Sequence, residues 1–130
     1  MSSVTPPEFF LDRSLGKETA HRLRERGFVV HLIADFYGDD AQRVADQTWV
    51  DEGSRRGWVL LTKDKKIRYR RVELEPLDGF LFCLVGGGAR IDAMATRFLA
   101  AMPAIVRAVE RDDRGFWHIH ADGSIRRMWP

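Results

Sequence analysis

Three aspartates in this chain are spaced so that one folding pattern would gather them, and gathered carboxylates point to divalent-metal chemistry. Asp12 follows the apolar run Phe9-Phe10-Leu11, and Asp64 follows Trp58-Val59-Leu60-Leu61-Thr62-Lys63. Both therefore sit where a buried strand would end, and in open α/β sheets ligands collect at the carboxyl ends of strands. Asp46 opens a helical pattern that runs to Arg56 and leads directly into the second of these strands. A helix placed before a strand in this way runs antiparallel to it, which returns Asp46 to the same edge. Three such carboxylates repel one another at neutral pH unless a cation offsets them. An all-oxygen donor set suits Mg²⁺ or Mn²⁺, which activate water and stabilise charge developing on a phosphodiester.

The cations fit the same chemistry. Lys63, Lys65, Lys66, Arg68, Arg70 and Arg71 crowd around Asp64, with Tyr69 among them, and Arg13 adjoins Asp12. A basic run beside an acidic cleft lets the cations hold a phosphate chain while a metal acts on it. Each acid also has an ordinary local reading: Asp12 or Asp46 as a helix N-cap, Asp64 as a loop residue, and the basic run as a solvated face. Asp51 and Glu52 compete with Asp46. On a helix starting at Asp46, however, Trp49, Val50 and Gly53 share one face and Asp51 turns to solvent. Other motifs are weaker. Gly86-Gly87-Gly88 lacks the Lys-Ser/Thr of a P-loop. His118 and His120 share a strand face without a third ligand at zinc spacing, and no Gly-x-Ser-x-Gly occurs.

The elements that must position these residues are legible in the apolar pattern. Residues 8–11, 28–33, 58–61 and 80–85 read as strands, continuous rather than alternating in hydrophobicity, which predicts a mainly parallel sheet covered on both faces. Helices are predicted over 14–26, 46–56 and 91–111, with Gly27 and Gly57 as stops, and a short one from Asp39 or Asp40 through Val44. Pro103 is expected to kink or split the long helix. Residues 116–120 and 124–129 flank Ala121-Asp122-Gly123 as a terminal hairpin. The sequence thus reads as a three-layer α/β/α fold.

The 130 residues, 45% hydrophobic and 31% charged, suit one compact domain and exclude wholesale disorder. With 21 Lys and Arg against 19 Asp and Glu, the net charge is only +2, so any appetite for polyanions depends on where the charges lie. Cys83 is a single cysteine in an apolar run, which rules out an internal disulfide. The leader lacks signal-peptide character, and the longest apolar run falls far below the ~20 residues of a membrane helix. The expected location is the cytoplasm, with no membrane partner.

Phe9-Phe10-Leu11-Asp12-Arg13-Ser14-Leu15-Gly16 is similar to the opening strand and acid of PIN-like domains. Leu23-Arg24-Glu25-Arg26-Gly27-Phe28-Val29-Val30 resembles their first helix-to-strand passage. Asp46-Gln47-Thr48-Trp49, followed by Gly57 to Arg68, resembles their most recognisable block. The resemblance is greatest to the small VapC-type toxins of bacterial toxin–antitoxin pairs. It implies Mg²⁺- or Mn²⁺-dependent cleavage of RNA, inhibition by a cognate antitoxin, and often homodimerisation. Asp12, Asp46 and Asp64 carry over as metal-binding and catalytic acids, and Thr62 as the small hydroxyl residue before the last of them. Arg13, Lys63, Lys65, Lys66 and Arg68 are the expected RNA contacts. Lys66 stands where relatives often have an acid or polar residue, leaving one-metal and two-metal catalysis both open. A non-catalytic nucleic-acid- or partner-binding module and a DNA-directed nuclease are the alternatives.

Overall fold

The computed structural model describes residues 6–38, 46–63, 77–86 and 90–130. Strand β1 (Phe9–Leu11) leads through a 3₁₀ turn, Arg13–Leu15, into helix α1 (Gly16–Glu25) and strand β2 (Val30–Leu32). Helix α2 (Ile33–Tyr37) follows at once, then helix α3 (Asp46–Arg55) and strand β3 (Val59–Thr62). Strand β4 (Phe80–Leu84), helix α4 (Ile91–Arg111) and the strands β5 (Gly115–Ile119) and β6 (Ile125–Trp129) complete it.

Among the described residues, six strands form one sheet in the order β2-β1-β3-β4-β5-β6. Pairing is parallel from β2 to β5, and only the β5–β6 hairpin is antiparallel. Continuous apolar runs make this possible because both sheet faces are buried. Phe9, Leu11, Val59, Leu61, Phe82 and Trp117 pack on one face with Leu23 of α1 and Phe98 and Ile105 of α4. Phe10, Leu60, Leu81, Cys83 and Phe116 point to the other face, with Ile33 of α2 and Trp49 and Val50 of α3. The three-layer α/β/α arrangement expected from the pattern is what forms.

Three local features differ from the sequence reading. The helix predicted from Ser14 begins instead at Gly16, whose φ of +76° separates it from the 3₁₀ turn. The predicted second strand is cut short at Leu32, because Ile33 starts α2, a helix the apolar pattern does not announce. The Leu32 amide donates to Asp35 Oδ2 (3.2 Å), which satisfies one N–H at that helix start. Of the two outcomes expected at Pro103, a split does not occur: the residue lies within a single continuous α4. It is exposed, so water can satisfy the Leu99 carbonyl that loses its N–H donor. The hairpin turn is as expected: Asp122 Oδ1 accepts from the Ser124 amide (2.9 Å) and hydroxyl (2.6 Å). These bonds hold the exposed Asp122 carboxyl below its usual pKa. The short helix predicted from Asp39 or Asp40 through Val44 lies outside the described residues, as do Gly87 and Gly88. Among the described residues, no helix is long and apolar enough to cross a membrane.

Two contacts tie these elements down at the edges that matter. Gly53 lets α3 approach the sheet closely, since a Cβ there would lie 2.5 Å from Leu60 Cδ2 and 3.1 Å from Phe10 Cδ2. Arg97 of α4 donates to the carbonyls of Gly86 (2.6 Å), Val85 (2.6 Å) and Ile119 (3.1 Å), binding the helix to the carboxyl ends of β4 and β5.

Candidate active site

Asp12 is anchored by its backbone before its side chain is considered. Its amide donates to the Leu61 carbonyl (3.0 Å), extending the β1–β3 pairing by one residue, and its carbonyl accepts from the Leu15 amide (3.0 Å). That second bond starts the 3₁₀ turn. The Asp12 carboxylate makes no cap hydrogen bond to this turn, so the N-cap reading of the residue does not hold. Instead the Thr62 hydroxyl donates to Asp12 Oδ2 at 2.9 Å, and the Ser14 hydroxyl donates to the same oxygen at 2.8 Å. Asp12 is 5% exposed and Thr62 is fully buried. Among the described residues no hydrogen bond reaches Oδ1. A buried carboxylate held by one oxygen, with the other open, fits a divalent cation well, because hard cations take oxygen ligands from oriented carboxylates.

The strand register extends this edge across the sheet. Asp12 follows Leu11, which pairs with Leu61, so it stands beside Thr62. Thr62 pairs with Cys83 and Cys83 with His118, and all four residues belong to the α2/α3 side of the sheet. His118 packs edge-to-face on Phe116, with ring centroids 5.3 Å apart. Burial, then His120 and Arg126, depress its pKa below the ordinary histidine value. Cys83 is buried and free of any disulfide.

The remaining predicted residues fall as follows. Arg13 is exposed in the 3₁₀ turn, and Lys63 is half-buried immediately after Thr62. Asp46 opens α3, whose far end turns through Gly57 into β3, with the Trp58 amide donating to the Gly53 carbonyl (3.0 Å). At about 1.5 Å per residue the helix spans ~15 Å, against ~13 Å for β3 at about 3.3 Å per residue. Asp51 is exposed and pairs with Arg55 (3.4 Å), so it turns to solvent as expected. Asp64, Lys65, Lys66 and Arg68 lie outside the described residues. Among the described residues no three His, Cys, Asp or Glu side chains form a metal-binding group, around His118 and His120 or elsewhere. Ser14 is the site residue to which sequence reasoning gave no role, although the Asp-x-Ser spacing was there to suggest a side-chain bond at i, i+2.

Beside Asp12 a cavity of about 150 Å³ opens between the ends of β1 and β2. Leu11, Asp12, Arg13, Gly16, Lys17, Leu32, Ile33 and Ala34 line it.

A parallel sheet with an aspartate at the carboxyl end of its first strand is the arrangement that the opening block implied; the two hydroxyls that brace its carboxylate are added by the structure. Residues 7–82 match the family model described as "PIN like domain", and the chain belongs to the PIN-like domain family. It is also 30% identical over 122 residues to the Mycobacterium tuberculosis protein named "Putative ribonuclease VapC45", an alignment spanning 90% of this chain and 88% of that protein. The likeness to VapC-type PIN domains thus extends beyond the opening block. No solved structure gives a significant match.

Proposed function

We propose that this protein is a Mg²⁺- or Mn²⁺-dependent endoribonuclease, acting in the cytoplasm as the toxin of a toxin–antitoxin pair and restrained by a cognate antitoxin. The observation that carries this reading is the state of Asp12. Its carboxylate is buried, caps nothing, and is fixed through Oδ2 by Thr62 and Ser14. A carboxylate that caps no helix and, among the described residues, keeps one oxygen free of hydrogen bonds is arranged as a cation ligand would be. The relative named as a ribonuclease supports the same reading.

Asp12, Asp46 and Asp64 are the residues that would hold the cation. When bound, it supplies Lewis acidity and positive charge for the phosphodiester undergoing hydrolysis. The chain's own contribution is positional. Thr62 and Ser14 prevent the Asp12 carboxylate from rotating, as hydrogen-bonded partners do for metal-binding carboxylates generally. Arg13 and Lys63 flank the acids at the sheet edge and, with Lys65, Lys66 and Arg68, would hold the RNA backbone on either side of the cut.

Incubation of purified protein with RNAs of mixed sequence tests this reading directly. Internal cleavage that requires added Mg²⁺ or Mn²⁺ and stops with EDTA is expected. RNA binding that ignores metal, with no cleavage, would instead favour a non-catalytic module. Cleavage confined to DNA would favour the DNA-directed alternative.

A further inference from the structure

We propose that the cavity beside Asp12 is a base pocket that takes a single-ring, pyrimidine nucleobase from the nucleotide adjoining the scissile phosphate. The proposal rests on the ribonuclease reading for its substrate, and it goes further in assigning a specificity determinant. At about 150 Å³, with walls from Leu11, Leu32, Ile33 and Ala34, the cavity is both small and aliphatic. An apolar cavity of roughly this volume is known to admit a benzene-sized ring. A pyrimidine matches that size and can be seated within the walls, whereas the fused rings of a purine would extend beyond them into solvent.

The rim supplies the polar half of a nucleotide site. Lys17 is exposed in the first turn of α1, where the helix dipole opposes a positive charge. Its helix neighbours are paired: Arg22 with Glu18 at 3.0 Å, and His21 with Glu25 at 2.7 Å. Lys17 has no ion pair among the described residues. A phosphate at the mouth of the cavity would offset both its lack of a partner and the unfavourable dipole. Asp12 forms part of the same wall, so a base seated here belongs to a nucleotide next to the reacting phosphate.

Titration of the metal-free protein with uridine 5′-monophosphate and adenosine 5′-monophosphate, followed by NMR at the Leu32 and Ala34 amides, tests the pocket without relying on catalysis. The uridine nucleotide is expected to bind roughly tenfold or more tightly than the adenosine one. Ala34→Leu, which fills the cavity from an exposed position, is expected to abolish that difference, and Lys17→Gln to weaken the nucleotide but not free uridine. Equal affinity for the two nucleotides, or undiminished uridine nucleotide binding in Ala34→Leu, would overturn the proposal. Protein that shows the expected binding but cuts no RNA contradicts only the ribonuclease reading. Protein that cuts RNA yet binds both nucleotides alike contradicts only the pocket.

Discussion

The Thr62 hydroxyl donates a 2.9 Å hydrogen bond to Asp12 Oδ2 across the junction of β1 and β3, between residues fifty positions apart in the chain. With Ser14 on the same oxygen, this bond sets the direction in which the open Oδ1 faces.

Thr62→Val keeps the shape of the side chain and removes that donor. It is expected to destabilise the fold by about 1–3 kcal/mol, because a buried carboxylate loses a partner. It should also weaken divalent-metal binding by roughly 10–100-fold. Chemical denaturation with Mn²⁺ titration checks both effects, and Thr62→Ser, which restores the hydroxyl, should recover the metal affinity.

Gly53→Ala is a test of how closely α3 packs on the sheet. Alanine favours the helix by roughly 0.5–1 kcal/mol over glycine. Against this, the new Cβ would lie 2.5 Å from Leu60 Cδ2 in a filled core, and such overpacking costs about 1–3 kcal/mol. The clash should win, so thermal denaturation is expected to show a lower midpoint.

Arg97→Met retains an apolar stem but removes the guanidinium donor from the Val85 and Gly86 carbonyls, and one of two donors from Ile119, whose carbonyl keeps the Val85 amide (3.0 Å). A loss of roughly 1.5–3 kcal/mol is expected for bonds to a charged group of this kind. Hydrogen exchange should locate the loosening at the carboxyl ends of β4 and β5.

His118 sets an acid-side pH dependence. Its pKa in the folded protein is lowered from the ordinary 6.5, mainly by burial. The unfolded chain therefore takes up the proton first as pH falls, and stability declines from about pH 6.5 downward until the folded form also protonates. Urea denaturation between pH 8 and pH 5 should show this decline, and His118→Gln should flatten it.

Much of the fold was legible because burial leaves a pattern in the residues themselves. Leu15, Ala20 and Leu23 mark the inner face of the first helical segment, Trp49, Val50 and Gly53 that of α3, and unbroken runs such as Phe80 to Leu84 mark strands buried on both sides. Helix α2 escaped because Ile33 completes an apolar strand pattern, and only Asp35, three residues past Leu32, signals a helix start. At the site, the edge position of Asp12 followed from strand-end logic, and Thr62 stood out through the family resemblance. That their side chains meet is a consequence of the β1–β3 register, which no local stretch of sequence encodes. The cavity was equally invisible, since its walls come from the end of β1, the start of α1 and the β2–α2 junction.

The most direct measurement compares RNA cleavage by wild type and Asp12→Asn across a Mn²⁺ titration, with thermal unfolding of both proteins. Asparagine can accept the same two hydroxyl bonds through its amide oxygen but lacks the negative charge. The variant is predicted to fold with a midpoint close to wild type and to lose cleavage by roughly a hundredfold or more. Cleavage by Asp12→Asn at the wild-type rate and with the wild-type metal dependence would contradict the assignment of Asp12 as a metal-binding carboxylate.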